Sequence, residues 1–93
     1  MAKKDFTILV VDDEEAFRYM LSQLLSGAGY TVDVATDGVA AINALQAKLY
    51  HVVLCDVKMP KVDGVEVLKF VRANVPGVEI IMLTPATAPY KPL

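Results

Sequence analysis

Apolar residues fall along this 93-residue chain in two alternating rhythms. Phe6-Thr7-Ile8-Leu9-Val10-Val11 is a short, β-branched, nearly unbroken apolar run, the pattern of a strand buried on both faces. From Glu14 the period becomes helical: Phe17, Met20, Leu21, Leu24, Leu25 and Ala28 recur on one face, read as core, and Gly27 and Gly29 offer a stop. Thr31–Ala35 predicts a second strand, in which Val32 and Val34 alternate with their neighbours as at a less covered edge. Asp37-Gly38 turns into a helix expected to run to about Leu49, with Val39, Ile42, Leu45 and Leu49 on one face. Val52-Val53-Leu54-Cys55 predicts another buried strand, ended by Asp56. A loop with Met59-Pro60 and Asp63-Gly64 leads to a helix marked by Val65, Leu68 and Val71-Arg72, which Pro76-Gly77 must end. Glu79–Leu83 predicts a fourth strand closing with Thr84, and residues 85–93, with three prolines in nine positions, read as an irregular tail.

The order βαβαβαβ implies an α/β fold: a parallel sheet with right-handed crossovers and helices on its faces. In such sheets ligands gather beyond the carboxyl ends of the strands. There the sequence places Asp12 and Asp13 after the first strand, Asp56 after the third and Thr84 after the fourth. If the first and third strands are neighbours, three carboxylates converge. Like charges about 4 Å apart repel by about 4 kcal/mol at an effective dielectric of about 20. A hard divalent cation such as Mg²⁺ removes that repulsion, and a carboxylate beside it can attack phosphorus in line while a hydroxyl such as that of Thr84 binds the equatorial oxygens.

Asp12-x-x-Glu15 also has the spacing of a helix capping box, and both roles are expected to hold together. Cys55 reads as a small buried hydrophobe, and His51, the only histidine, as structural. The chain is 55% hydrophobic with mean hydropathy +0.44, high for a domain this small, so the excess must fill a dense core or await a partner. Nine basic residues against eleven acidic ones, net charge −2, give no basic patch for nucleic acid. No apolar run approaches the roughly 20 residues of a membrane span, no secretory signal opens the chain, and one cysteine fits a reducing compartment. A cytoplasmic protein without nucleic-acid or membrane partners is the expectation. No Gly-x-x-x-x-Gly-Lys or Gly-x-Gly-x-x-Gly supports nucleotide binding.

Val10-Val11-Asp12-Asp13-Glu14, the segment from Cys55-Asp56 through Met59-Pro60 to Asp63-Gly64, and Ile80-Ile81-Met82-Leu83-Thr84 resemble the receiver domain of two-component response regulators. The resemblance spans residues 6–84, and its motifs in correct order are far more specific than any one alone. It implies a flavodoxin-like (CheY-like) sheet of order 2-1-3-4. It makes Asp56 the phosphoacceptor, Asp13 a direct Mg²⁺ ligand, Asp12 a holder of the metal largely through water, and the backbone carbonyl of Lys58 the third protein ligand. Thr84 becomes the switch hydroxyl, and Met59-Pro60 and Gly64 shape the surrounding loop. The implied partner is a phosphohistidine on a sensor histidine kinase or phosphotransfer protein. Enzymatic activity is expected to extend no further than self-catalysed phosphorylation and dephosphorylation.

The pattern departs from the family after the fourth strand, where a helix, a strand and a last helix are expected. Lys91-Pro92 resembles the lysine-proline that ends the family's fifth strand, but six residues between Thr84 and Lys91 are too few for a parallel crossover. As extended chain, Lys91 can still reach the carboxyl edge. The reading is therefore a receiver truncated after the fourth strand over residues 1–84, with a Pro-rich tail over residues 85–93. An open fourth strand predicts a homo-oligomer through that edge. The competing function is a phosphorylation-independent oligomerisation module on the same fold. An aspartate-nucleophile phosphatase is disfavoured, because it needs Asp-x-Asp where this chain has adjacent Asp12-Asp13.

Overall fold

The structure, a computed structural model, describes residues 2–57 and 63–83. Its order is a short 3-10 turn (Lys3–Asp5), β1 (Thr7–Val11), α1 (Glu15–Gly27), β2 (Thr31–Ala35), α2 (Gly38–Ala47), β3 (Val52–Asp56), α3 (Gly64–Asn74) and β4 (Glu79–Leu83). The four strands form one parallel sheet in the order β2-β1-β3-β4, as predicted. Thr84, Lys58, Met59-Pro60, Lys91 and the tail lie outside the described residues.

Alternation along the strands divides the sheet into two faces. Leu9, Val11, Val53 and Cys55 meet Ala41 and Leu45 of α2 and Val67 and Val71 of α3 in one contiguous core. Those four strand residues are almost wholly removed from water, each contributing the hydrophobic stabilisation of a fully buried side chain. On the other face α1 packs on β1 and β2. Helices therefore cover both faces, but unequally.

That inequality corrects the expected core. Met20 and Leu24 are exposed, Leu24 at 63%, and no residue of α1 is buried, because among the described residues α1 packs on β1 and β2 alone, whereas α2 and α3 also pack on each other. In α2 the helix stops at Ala47, two residues before Leu49, which is 84% exposed, and Val39 also faces water; the buried stripe is Ala41 and Leu45. In α3 the inward positions are Val67 and Val71 rather than Val65, which is exposed. Along β4, Ile80 and Met82 pack against the core and Leu83 is half-buried, while Ile81 stays 49% exposed, so of that apolar run Ile81 is the one left largely in water. Among the described residues β4 is an edge strand, and no observation supports the homo-oligomer expected through it.

Local chemistry explains the boundaries. At the end of α1, Gly29 adopts φ +103°, its N–H donates to the Ser26 carbonyl, and Tyr30 N–H reaches the Leu25 carbonyl at 3.1 Å. This paired closure needs a left-handed residue after the helix, which glycine supplies without strain. Asp37 caps α2 by accepting from Ala40 N–H at 2.8 Å, and Asp63 caps α3 by accepting from Glu66 N–H at 3.1 Å. His51 is structural, as expected: its Nδ1 accepts from Thr7 N–H at 3.0 Å and its ring stacks on Phe6. No helix among the described residues is long and apolar enough to cross a membrane.

Candidate functional site

The carboxyl edge is built by the register of three strands. Val11 pairs with Cys55 across β1 and β3, so Asp12 emerges next to Asp56, and Asp56 itself pairs with Leu83 of β4. The result is one cluster: Asp12, Asp13 and Asp56 each offer a carboxylate oxygen, and these oxygens lie within 4.8 Å of one another. Asp12 and Asp56 are 5% and 6% exposed, whereas Asp13 is open to solvent. Two buried carboxylates at that separation repel by roughly 3 kcal/mol at an effective dielectric of about 20. Three hard oxygen donors converging from two strand ends fit a divalent cation of the Mg²⁺ class, which carboxylates bind and which keeps positions for water or phosphoryl oxygens.

Each acid is held by its backbone. Asp12 N–H donates to the Ala35 carbonyl of β2 at 3.2 Å, and Asp12 Oδ1 accepts from Glu14 N–H at 2.8 Å. That second bond corrects the capping-box reading: the N-cap of α1 is Glu14, without a side-chain cap, and the Asp12 carboxylate closes a turn two residues long instead. After Asp56, Val57 N–H donates to the Leu83 carbonyl and Gly64 N–H to the Val57 carbonyl, both at 3.1 Å. The start of α3 is thereby drawn against the end of β3.

Cys55 is fully buried behind the acids, and its thiol donates to the Asp56 carbonyl at 3.4 Å. Burial, then the charges of Asp56, Asp12 and Asp63, push the thiol up to about 12. It is a packed apolar group and not a nucleophile at neutral pH.

The structure thus brings together Asp12, Asp13 and Asp56, while Lys58, Thr84 and Lys91 lie outside the described residues. Two contacts escape a reading of the sequence. A Cβ on Gly64 would strike the Asp56 carbonyl oxygen, and Arg18 Nη1 donates to the Asp12 carbonyl at 2.8 Å. Both are contacts to backbone atoms, for which side-chain spacing carries no signal; the resemblance gave Gly64 a part in shaping the loop around the site, but not this contact.

A family model described as the response regulator receiver domain matches residues 8–91. The chain is 36% identical over 84 residues to the transcriptional regulatory protein ZraR of Klebsiella oxytoca, covering 90% of this chain and 19% of that protein. It is 42% identical over 77 residues to the response regulator MprA of Mycobacterium ulcerans, 83% of this chain and 33% of the relative. The chain therefore spans about a fifth to a third of these relatives' length. Among solved structures, the response regulator TrrA of Thermotoga maritima in complex with Mg²⁺-BeF superposes with TM-score 0.82 at 37% identity, covering 85% of this chain and 69% of that one. The chemotaxis protein CheY4 of Vibrio cholerae gives TM-score 0.82 at 38% identity over 90% of this chain and 72% of its own.

Proposed function

This chain belongs to the response regulator receiver domain family, and from that premise we propose that Asp56 accepts a phosphoryl group from a phosphohistidine with Mg²⁺ held by Asp12, Asp13 and Asp56. The observation that carries the reading is the convergence of the three carboxylates at the carboxyl edge. It is supported by the likeness to a response regulator that was solved with Mg²⁺ and BeF.

In the proposed step a carboxylate oxygen of Asp56 forms the new bond to phosphorus. The bond from phosphorus to the donor's imidazole nitrogen breaks, and that nitrogen keeps the electron pair. When bound, Mg²⁺ supplies charge neutralisation for the acids and for the phosphoryl oxygens. Burial of Asp56 and the Val57 and Gly64 N–H bonds that follow it hold the strand end that carries the nucleophile, which limits the reorganisation left at the moment of transfer. The Lys58 carbonyl completes the proposed ligand set, the Thr84 hydroxyl is the proposed switch, and the Lys91 ammonium is assigned to the phosphoryl group by resemblance alone. The donor is a sensor histidine kinase or phosphotransfer protein, and the chain's own contribution is acceptance and self-catalysed loss of the group rather than turnover of a separate substrate.

The test is intact-protein mass after incubation with a small phosphodonor, with and without Mg²⁺, beside Asp56→Ala. One labile phosphoryl group gained by the parent only with Mg²⁺, and absent from the variant, is expected. Equal modification of parent and variant would refute the assignment of Asp56.

A further inference from the structure

Among the acids, Asp13 is the one whose placement the packing does not explain. Asp12 and Asp56 are buried in the strand ends, but Asp13 is exposed. Among the described residues no ion pair holds the Asp13 carboxylate, so the backbone sets where its side chain starts. The peptide entering Asp13 is a rigid plane that contains the Asp12 carbonyl, the Asp13 nitrogen and both Cα atoms. Whatever fixes the direction of the Asp12 carbonyl fixes where Asp13 begins.

Arg18 is the residue that does so. Its Nη1 donates to the Asp12 carbonyl oxygen at 2.8 Å, a short bond from a charged donor. Its own N–H donates to the Glu14 carbonyl at 3.0 Å as the first bond of α1. One residue thus ties the start of the helix to the loop that carries both acids. Arg18 also lines the groove between α1 and Val34 of β2, together with Ala16, Tyr19 and Ser22. The guanidinium forms no ion pair within 4.0 Å among the described residues, so a charge that would be well solvated elsewhere is committed to one carbonyl.

We infer that Arg18 is a positioning residue for the divalent-cation site: by holding the Asp12–Asp13 peptide plane it sets the approach of the Asp13 carboxylate to the cation. The inference rests on the metal reading above but adds to it a residue outside the acid cluster. Outer-shell partners of this kind act on affinity through the ligand they orient.

The test is calorimetric titration of Mg²⁺ into the parent, Arg18→Ala, Arg18→Lys and, as a stability control, Tyr50→Phe, whose lost hydrogen bond to Asp33 is remote from the acids. Arg18→Ala is expected to bind Mg²⁺ about tenfold more weakly, with Arg18→Lys recovering to within about twofold of the parent, since one donor at the carbonyl suffices. Tyr50→Phe is expected to keep the parent affinity whatever it loses in melting temperature. Parent-like affinity in Arg18→Ala overturns the inference, as does an Arg18→Lys no better than alanine, or a Tyr50→Phe weakened in proportion to its stability. A parent that binds no Mg²⁺ overturns the metal reading itself. Parity between Arg18→Ala and a parent that does bind overturns the role of Arg18 alone.

Discussion

Gly64 and Asp56 are in contact through their backbones: a methyl group placed on Gly64 would collide with the Asp56 carbonyl oxygen and would come within 2.9 Å of Val57 Cα and 2.7 Å of Met82 Cε. The methionine end can swing away, but two of the three obstacles are main chain at the end of β3. The first residue of α3 is glycine because the helix begins directly against the strand end that carries the proposed nucleophile.

Gly64→Ala is accordingly expected to act on both stability and chemistry. Overpacking of this kind costs roughly 1–3 kcal/mol, and relief by moving Asp56 misaligns the carboxylate, for which a 1 Å error can cost about a hundredfold in rate. Urea unfolding and the rate of phosphoryl gain from a small donor measure the two effects. A variant with parent stability and parent rate would show that the strand end yields freely.

Asp13→Asn separates the acids' repulsion from their use. Without metal, removing one of three converging charges is expected to raise the melting temperature. The parent should gain about 2.7 kcal/mol when Mg²⁺ is a hundredfold above its dissociation constant, and the variant much less under the same conditions. Thermal unfolding in Mg²⁺ and after chelation checks both signs. A metal-free melting temperature below the parent's would contradict the repulsion.

Tyr50→Phe probes a polar cluster far from the acids. Tyr50 donates to Asp33 at 2.7 Å, and Lys48 pairs with the same carboxylate at 2.9 Å. The hydrogen bonds from Lys48, then Tyr50, hold the Asp33 carboxyl below its usual range, so its contribution is present above about pH 4 and is lost as pH falls through the folded value. Burial first, then Asp33, raise Tyr50 to about 12. That contribution is complete below the ordinary tyrosine value of about 10 and is lost as pH rises from there toward about 12. With Asp33 partly solvated, the variant should lose about 1 kcal/mol at pH 7, and its alkaline decline between those values should flatten. Urea unfolding across pH measures both. An unchanged alkaline slope would place the titration elsewhere.

Leu9→Ala and Leu24→Ala compare two leucines that the sequence alone treats as equals. Leu9 is fully buried in the α2–α3 face, and its truncation should cost about 2–5 kcal/mol; Leu24 lies in water, and its loss should stay within about 0.5 kcal/mol. A large effect at Leu24 would mean that something covers α1 in solution.

Strand identity and the strand-end positions of Asp12, Asp13 and Asp56 could be read from the sequence, because periodicity is a local property that a parallel sheet converts into place; the sheet order that makes β1 and β3 neighbours came from the family resemblance. Which face of each helix is inward could not be read so directly. Met20 and Leu24 carry the same helical pattern as a core stripe, yet they are exposed because among the described residues no second helix packs beside α1 as α2 and α3 pack on each other. The 3-10 turn at Lys3–Asp5 was invisible for a related reason, since it is held by main-chain bonds and its side chains have no periodic pattern. Likewise the roles of Gly64 and Arg18 exist only where one backbone comes against another or a long side chain reaches back to a carbonyl. The sequence by itself determined which acids meet; tertiary structure decided how their backbones are held, because that depends on contacts between segments that share no local pattern.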